Sequence, residues 1–278
     1  MPYSTVNGVR TYYEVAGDGP AMVLVHANPF DHTLFLYQIR HFSTWFKVIA
    51  TDMRGYGRSD IVTTPYTLAE MAEDVMGVCR QEGVTRAIVG GVSTGSGIAL
   101  LMGLDRPDFC RAVILVGGSS GDPVTAEELA KPTDRMRNYL TKGMAAYHIR
   151  HLEELVAPAF ARSPLGRHLL AAVVERGQAL GWTPQGIAEV LRARRGTDMT
   201  PRLASMKVPT LVINGEFDNS LKGGTRTAKG IPGAVHRILP GTGHACNIED
   251  PATFDGYVIE FLKAKGLFPA ARQQGETT

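Results

Sequence analysis

The 278-residue chain is poor in cysteine: Cys79, Cys110 and Cys246 are an odd number, stand far apart and form no C-x-x-C pair. That excludes a disulfide framework and points to a reducing compartment, with the thiols packing as small hydrophobes. Charge of one sign is also missing as a block. Lys and Arg number 29 against 27 Asp and Glu, a net +2 spread along the chain, which argues against nucleic acid or an anionic membrane as partner. No apolar run approaches the ~20 residues of a membrane span. The opening Met1-Pro2-Tyr3-Ser4-Thr5-Val6-Asn7-Gly8 lacks the charged and apolar regions of a leader, so a cytoplasmic location is the default expectation. No His/Cys/Asp cluster has metal-ligand spacing and no phosphate-binding loop occurs, so neither metal nor cofactor is expected. Internal repeats are absent, and only the polar tail from Arg272 is compositionally biased and expected to fray.

What is present is enough apolar residue, 44%, for a sizeable core. Thr5 to Val15 alternates polar and apolar around Asn7-Gly8 and reads as a hairpin. Short runs that read as strands buried on both faces follow at Ala21–Val25, Phe46–Ala50, Ala87–Val92, Ala112–Val116 and Thr210–Ile213, and Val235–Leu239 reads as a last strand. Helical spacing lies between them, at Asp31–Phe42, Leu68–Cys79, Gly97–Leu104, Leu221–Lys229 and Phe254–Lys263. Such alternation predicts an α/β fold with a mostly parallel central sheet and helices on both faces. From residue 122 to 206 buried strands stop and helical stretches take over, among them Met136–Tyr147, His168–Ala179 and Ile187–Arg195. This divides the chain into a core, residues 1–121 and 207–278, and a helical insertion, residues 122–206, over the sheet.

The strand Ala87–Val92 empties into Gly91-Val92-Ser93-Thr94-Gly95, a G-x-S-x-G turn. Glycines flank the serine so that neighbouring backbone can approach a sharp strand-to-helix turn, and the turn aims the next helix's amides at whatever the serine attacks. Serine needs a base and a carboxylate to orient that base. Asp218, in Asn214-Gly215-Glu216-Phe217-Asp218, and His244, in Gly241-Thr242-Gly243-His244, both follow the C-terminal ends of later strands, where open α/β sheets build their sites. Glu216 and Asp122 are the alternative acids. The chain order Ser93, Asp218, His244 is that of the α/β-hydrolase triad.

On these residues, together with His26-Ala27-Asn28-Pro29 and the loop Asp52 to Asp60, the chain resembles the α/β-hydrolase fold superfamily, and within it a serine-triad esterase or lactonase with a helical cap. The resemblance covers nearly everything outside the insertion and the tail. It implies Ser93 as nucleophile, His244 as general base and then acid, and Asp218 as orienting carboxylate. It also implies an oxyanion hole from the backbone N–H groups of Asn28 and Thr94, and an insertion that acts as a cap. Ala27 stands where the family usually has glycine. The oxyanion loop is similar to that of haloalkane dehalogenases, but those enzymes and epoxide hydrolases carry an aspartate where Ser93 stands.

The expected reaction is therefore hydrolysis of a carboxylic ester or lactone through an acyl-enzyme, on a small to medium, largely apolar substrate held between cap and sheet. The alternatives within the fold are a carbon-carbon bond hydrolase, an amidase or iminopeptidase, and a cofactor-free perhydrolase; outside enzymes, a hydrolase-like ligand receptor. Oligomeric state is not legible. Of the remaining features, His26 reads as a brace for the oxyanion loop. Arg192, Arg194 and Arg195 read as the solvated end of a helix, and Met136, Met144, Tyr147, Phe160 and Trp182 as packing within the insertion or as pocket lining.

Overall fold

The computed structural model describes residues 2–269; the polar tail from Arg272 lies outside them. An eight-stranded sheet runs through its centre, formed by β1 (Tyr3–Val6), β2 (Val9–Ala16), β3 (Ala21–Val25), β4 (Lys47–Thr51), β5 (Ala87–Val92), β6 (Cys110–Val116), β7 (Thr210–Gly215) and β8 (Val235–Leu239). Their order is β1-β2-β4-β3-β5-β6-β7-β8. The expected hairpin joins β1 to β2, with Asn7 and Gly8 both at positive φ, 49° and 80°, as a two-residue turn of this hand requires. β2 also runs antiparallel to β4, and every other pairing is parallel.

The helices are α1 (Leu36–Phe42), α2 (Leu68–Gln81), α3 (Thr94–Asp105), α4 (Ala126–Ala130), α5 (Asp134–Glu153), α6 (Pro158–Arg162), α7 (Pro164–Ala179), α8 (Pro184–Arg195), α9 (Leu221–Gly230), α10 (Cys246–Glu249) and α11 (Pro251–Ala264). The strands are apolar on both faces because both faces are covered. In β3, Val23 and Val25 face a cluster holding Val75 and Val78 of α2 and Ile98 and Met102 of α3. Met22 and Leu24 face the opposite cluster, with Phe42 of α1 and Phe254 and Val258 of α11. The three cysteines are buried free thiols, and burial pushes Cys79 and Cys110 up to about 12.

Helices α4 to α8 occupy the stretch between β6 and β7 where the buried-strand pattern stops. Thr125 and Glu128 form a reciprocal cap at the start of α4, and α5 breaks at Gly143 (φ 76°). α8 packs on α3 as well as on α5, so the insertion rests directly on the helix that follows Ser93. Met136, Tyr147 and Trp182 are buried, with Tyr147 and Trp182 in the same apolar cluster as α3. Their role is packing.

The turn between β5 and α3 depends on two backbone contacts. A side-chain carbon at Gly91 would fall 2.1 Å from the Gly95 carbonyl oxygen, and one at Gly95 would fall 2.0 Å from that of Val25. Replacing Gly95 with Ala should destabilise the protein by about 2 kcal/mol or more, the scale of an overpacked core site; a urea midpoint equal to wild type would refute this close approach.

His148, buried on α5, donates from Nε2 to the Pro29 carbonyl oxygen at 3.3 Å, while its Nδ1 has no partner. Burial pushes its pKa down to about 4. Between pH ~6.5 and about 4 the unfolded chain therefore binds a proton here that the folded one does not, so stability falls as pH falls, by roughly 3 kcal/mol at most. His148→Gln should flatten the dependence of unfolding free energy on pH across this window by up to about one proton. An unchanged slope between pH 4 and 6.5 would count against it.

Candidate active site

Ser93 follows β5 directly and caps α3 in an unusual way. Serine at a helix N-cap ordinarily spends its hydroxyl on a backbone amide of the first turn. Here φ is 56° and ψ −109°, and the side chain makes no capping hydrogen bond. The residue is held in this conformation by its backbone: Ser93 N donates to the Val116 carbonyl at 2.8 Å, and Gly97 N donates to the Ser93 carbonyl at 3.1 Å. Among the described residues, Asn7 and Ser93 are the non-glycine residues with positive φ. A strained serine beside uncapped helix amides is a good place to stabilise negative charge.

A cavity of about 560 Å³ opens at this turn, lined by Ser93, Thr94, Asn28 and His244 together with Gly117, Gly118 and residues of the insertion. His244 reaches it from the loop after β8. Its Nδ1 donates to Asp218 Oδ1 at 2.7 Å, and both side chains are nearly inaccessible to water. A Cβ on Gly117 (φ 56°) would stand 3.1 Å from the imidazole, so the neighbouring loop must be bare there. The structure thus brings Ser93, His244, Asn28 and Thr94 to one cavity and seats Asp218 behind His244. Neither alternative acid is bonded to His244: Glu216 accepts from Gly241 N at 2.8 Å, and Asp122, on the cavity wall, pairs with Arg226 at 2.6 Å.

Asp218 is cradled more fully than its sequence context suggested. Oδ1 also accepts from Ser220 N at 2.8 Å, and Oδ2 accepts from Asn214 Nδ2 and Ser220 Oγ, both at 2.9 Å. Burial alone would raise its pKa, but the hydrogen bonds from His244, Asn214 and Ser220 hold it at about 2. Asn214 and Ser220 were not singled out by sequence. Asn214, a polar residue closing the apolar run of β7, was the available signal.

Glu249, part of the Glu249-Asp250-Pro251 run that follows His244 in the family pattern, was given no role by the sequence. Its buried carboxylate accepts from Gly243 N at 2.9 Å, beside His244, and from Ala157 N at 2.8 Å, in the insertion. Burial pushes it up to about 7 against those two donors.

The loop after β3 behaves as expected of a brace. His26 Nδ1 donates to the Ala27 carbonyl at 2.8 Å and its Nε2 accepts from Met53 N at 2.9 Å, which fixes the neutral tautomer. Burial pushes its pKa down, in keeping with that state. Asn28 Oδ1 accepts from the Tyr56 hydroxyl, and the Asn28–Pro29 peptide is cis. Ala27 is wholly buried and its φ is not positive, so the backbone does not require glycine there.

One group of side chains has metal-like proximity: Asp31, His32 and Asp52 offer atoms within 4.8 Å of one another. Their donors and acceptors are engaged internally. His32 Nδ1 bonds Asp52 at 2.7 Å, and Asp31 accepts from Thr33 and pairs with Arg176. The cluster reads as a tie between loops and the insertion.

Arg194 departs from the expected solvated helix end. It is half-buried, lines the cavity, and lies against Gly97 of α3, where a Cβ would fall 2.7 Å from its Nε. The lining also includes Ser119, Asp122, Thr133, Arg135, Arg195 and Asn219, and is more polar than the sequence reading anticipated. Met136, Met144, Tyr147, Phe160 and Trp182 are not among the lining residues.

No helix among the described residues is long and apolar enough to cross a membrane. A putative carbamate hydrolase, RutD, of Caulobacter sp. (strain K31) is 29% identical over 95% of this chain and 99% of its own length. The 3-oxoadipate enol-lactonase 1 of Acinetobacter baylyi is 25% identical, over 89% and 90% of the two chains. The crystal structure of the enol-lactonase from Burkholderia xenovorans LB400 superposes with a TM-score of 0.85 at 26% identity, over 94% of this chain and all of that one. The model of the alpha/beta hydrolase fold matches residues 20–251, a span that holds the turn at Ser93, Asp218 and the histidine loop, and the chain belongs to that family.

Proposed function

We propose that this member of the hydrolase family is a serine hydrolase that cleaves a carboxylic ester or lactone through an acyl-enzyme. The observation that carries the reading is the 2.7 Å bond between His244 Nδ1 and Asp218, made at the wall of the cavity that also holds Ser93. With Nδ1–H committed to Asp218, Nε2 is the basic nitrogen, and the carboxylate stabilises the imidazolium that forms when Nε2 takes the Ser93 proton. Ser93 Oγ attacks the carbonyl carbon. The N–H groups of Thr94 and Asn28 stabilise the oxyanion, and His244 then protonates the leaving alkoxide. Water, deprotonated by His244, releases the acid and restores Ser93.

In this reading residues 122–206 are a cap that closes the cavity over the strand ends, and residues 1–121 and 207–278 are the core. The enol-lactonase likenesses support a lactone or ester over the other bonds this fold can break. Three buried thiols, two of them pushed up to about 12, leave Ser93 without a competing cysteine nucleophile among the described residues.

Ser93→Ala should lower turnover of p-nitrophenyl butyrate by about 10³-fold or more with an unchanged circular dichroism spectrum, and should abolish labelling by a fluorophosphonate. Undiminished turnover or labelling would refute the assignment. Asp218→Asn removes the charge and lets the imidazole adopt the other tautomer. A fall of kcat by about 10²–10⁴-fold with little change in KM is expected, and a variant within threefold of wild type would remove Asp218 from the reaction.

A further inference from the structure

The wall of the catalytic cavity carries a charge imbalance that the hydrolysis itself does not use. Arg135, Arg194 and Arg195 line it against one carboxylate, Asp122. That carboxylate is bound to Arg226 at 2.6 Å. Arg135 lies 3.6 Å from Glu154, and Arg195 donates to the carbonyls of Glu128 and Lys131, at 2.7 and 2.9 Å, tying α8 to the end of α4.

Arg194 differs from both. Its guanidinium donates to the Thr197 carbonyl at 3.3 Å and to the Ser119 carbonyl, and no carboxylate lies within ion-pair distance among the described residues. From α8 it packs against the first turn of α3, at Gly97, where the helix dipole is itself positive. Carbonyl oxygens satisfy hydrogen bonds but do not neutralise a guanidinium. A cation drawn out of water beside a positive helix end, with donors still unspent, is poised for an anion. Loss of hydration pushes its pKa down against the charges of Asp122 and Asp198, neither of which stands at ion-pair distance.

We propose that Arg194 is a specificity-determining residue, and that the ester or lactone cleaved at Ser93 carries a carboxylate which the Arg194 guanidinium binds inside the cavity. This rests on the serine-hydrolase reading above and adds the substrate's class. Water is added across the acyl C–O bond: the acyl carbon gains hydroxyl, the alkoxide gains hydrogen, and the product retains its original carboxylate beside the new one. The alternative use of Arg194, as a strut between insertion and core through the Ser119 and Thr197 carbonyls, is separable because glutamine keeps an N–H donor and loses the charge.

The test compares monomethyl succinate, glutarate and adipate with methyl butyrate, valerate and hexanoate, following acid release by wild type, Arg194→Gln and Arg194→Lys. Wild type should favour at least one monoester over the neutral ester by tenfold or more in kcat/KM. Arg194→Gln should cut that ratio at least fivefold, chiefly through KM, and Arg194→Lys should restore part of it. Ser93-dependent hydrolysis without carboxylate preference, or a ratio that falls less than fivefold in Arg194→Gln, overturns the proposal and leaves the hydrolase reading intact. Should wild type cleave none of these esters and resist fluorophosphonate, the hydrolase reading fails. Glutarate then decides the anion site: a rise in Tm in wild type that Arg194→Gln loses supports it, and no rise overturns it.

Discussion

Two pieces of backbone touch at the turn after β5 where side chains would ordinarily stand, and the rest of the site follows from that contact. Gly95 lies against the Val25 carbonyl and Gly91 against that of Gly95. The contact lets α3 start immediately at the end of the strand, with Ser93 in a left-handed conformation that turns its hydroxyl away from capping duty. Because Val25 leads directly into His26 and Asn28, the same contact sets the loop after β3 beside the serine. Position and strain therefore have one origin.

The electrostatics add a second layer. Asp218 receives four hydrogen bonds, and they outweigh the penalty of its burial, so the carboxyl stays charged behind His244. Nearby histidines on α5 go the other way. His148 and His151 are buried without countercharge and are pushed well down, so these rings stay neutral, and the positive charge that the insertion brings to the cavity wall resides in arginines.

Much of the core was legible because its signals are local. β5 begins and ends where its run of apolar and small residues does, and the hairpin turn announces itself as Asn-Gly. The start of α3 was misread as Gly97 because Thr94-Gly95-Ser96 looks like loop; the helix begins at Thr94 since the tertiary contact, and not intrinsic preference, fixes that turn. The short α4 was passed over although Thr125 and Glu128 spell a capping box, and α10 offered four residues and no periodicity. Asp218 and His244 could be placed from chain order, whereas Asn214, Ser220 and Glu249 lie close by in sequence but take their partners from how each loop folds back. Arg194 shows the limit most clearly. Periodicity puts it at the end of a polar helix; only the docking of α8 on α3 turns that end inward.

Glu249 bonds the amide next to His244 on one side and the amide of Ala157 on the other, and Ala245 N adds a 2.9 Å bond to the Leu155 carbonyl. The middle of the insertion is thereby tied to the loop that carries His244, while α5 packs on both α7 and α8. Side chains elsewhere on α5, α7 and α8 can then be exchanged while these bonds keep the insertion anchored beside the imidazole.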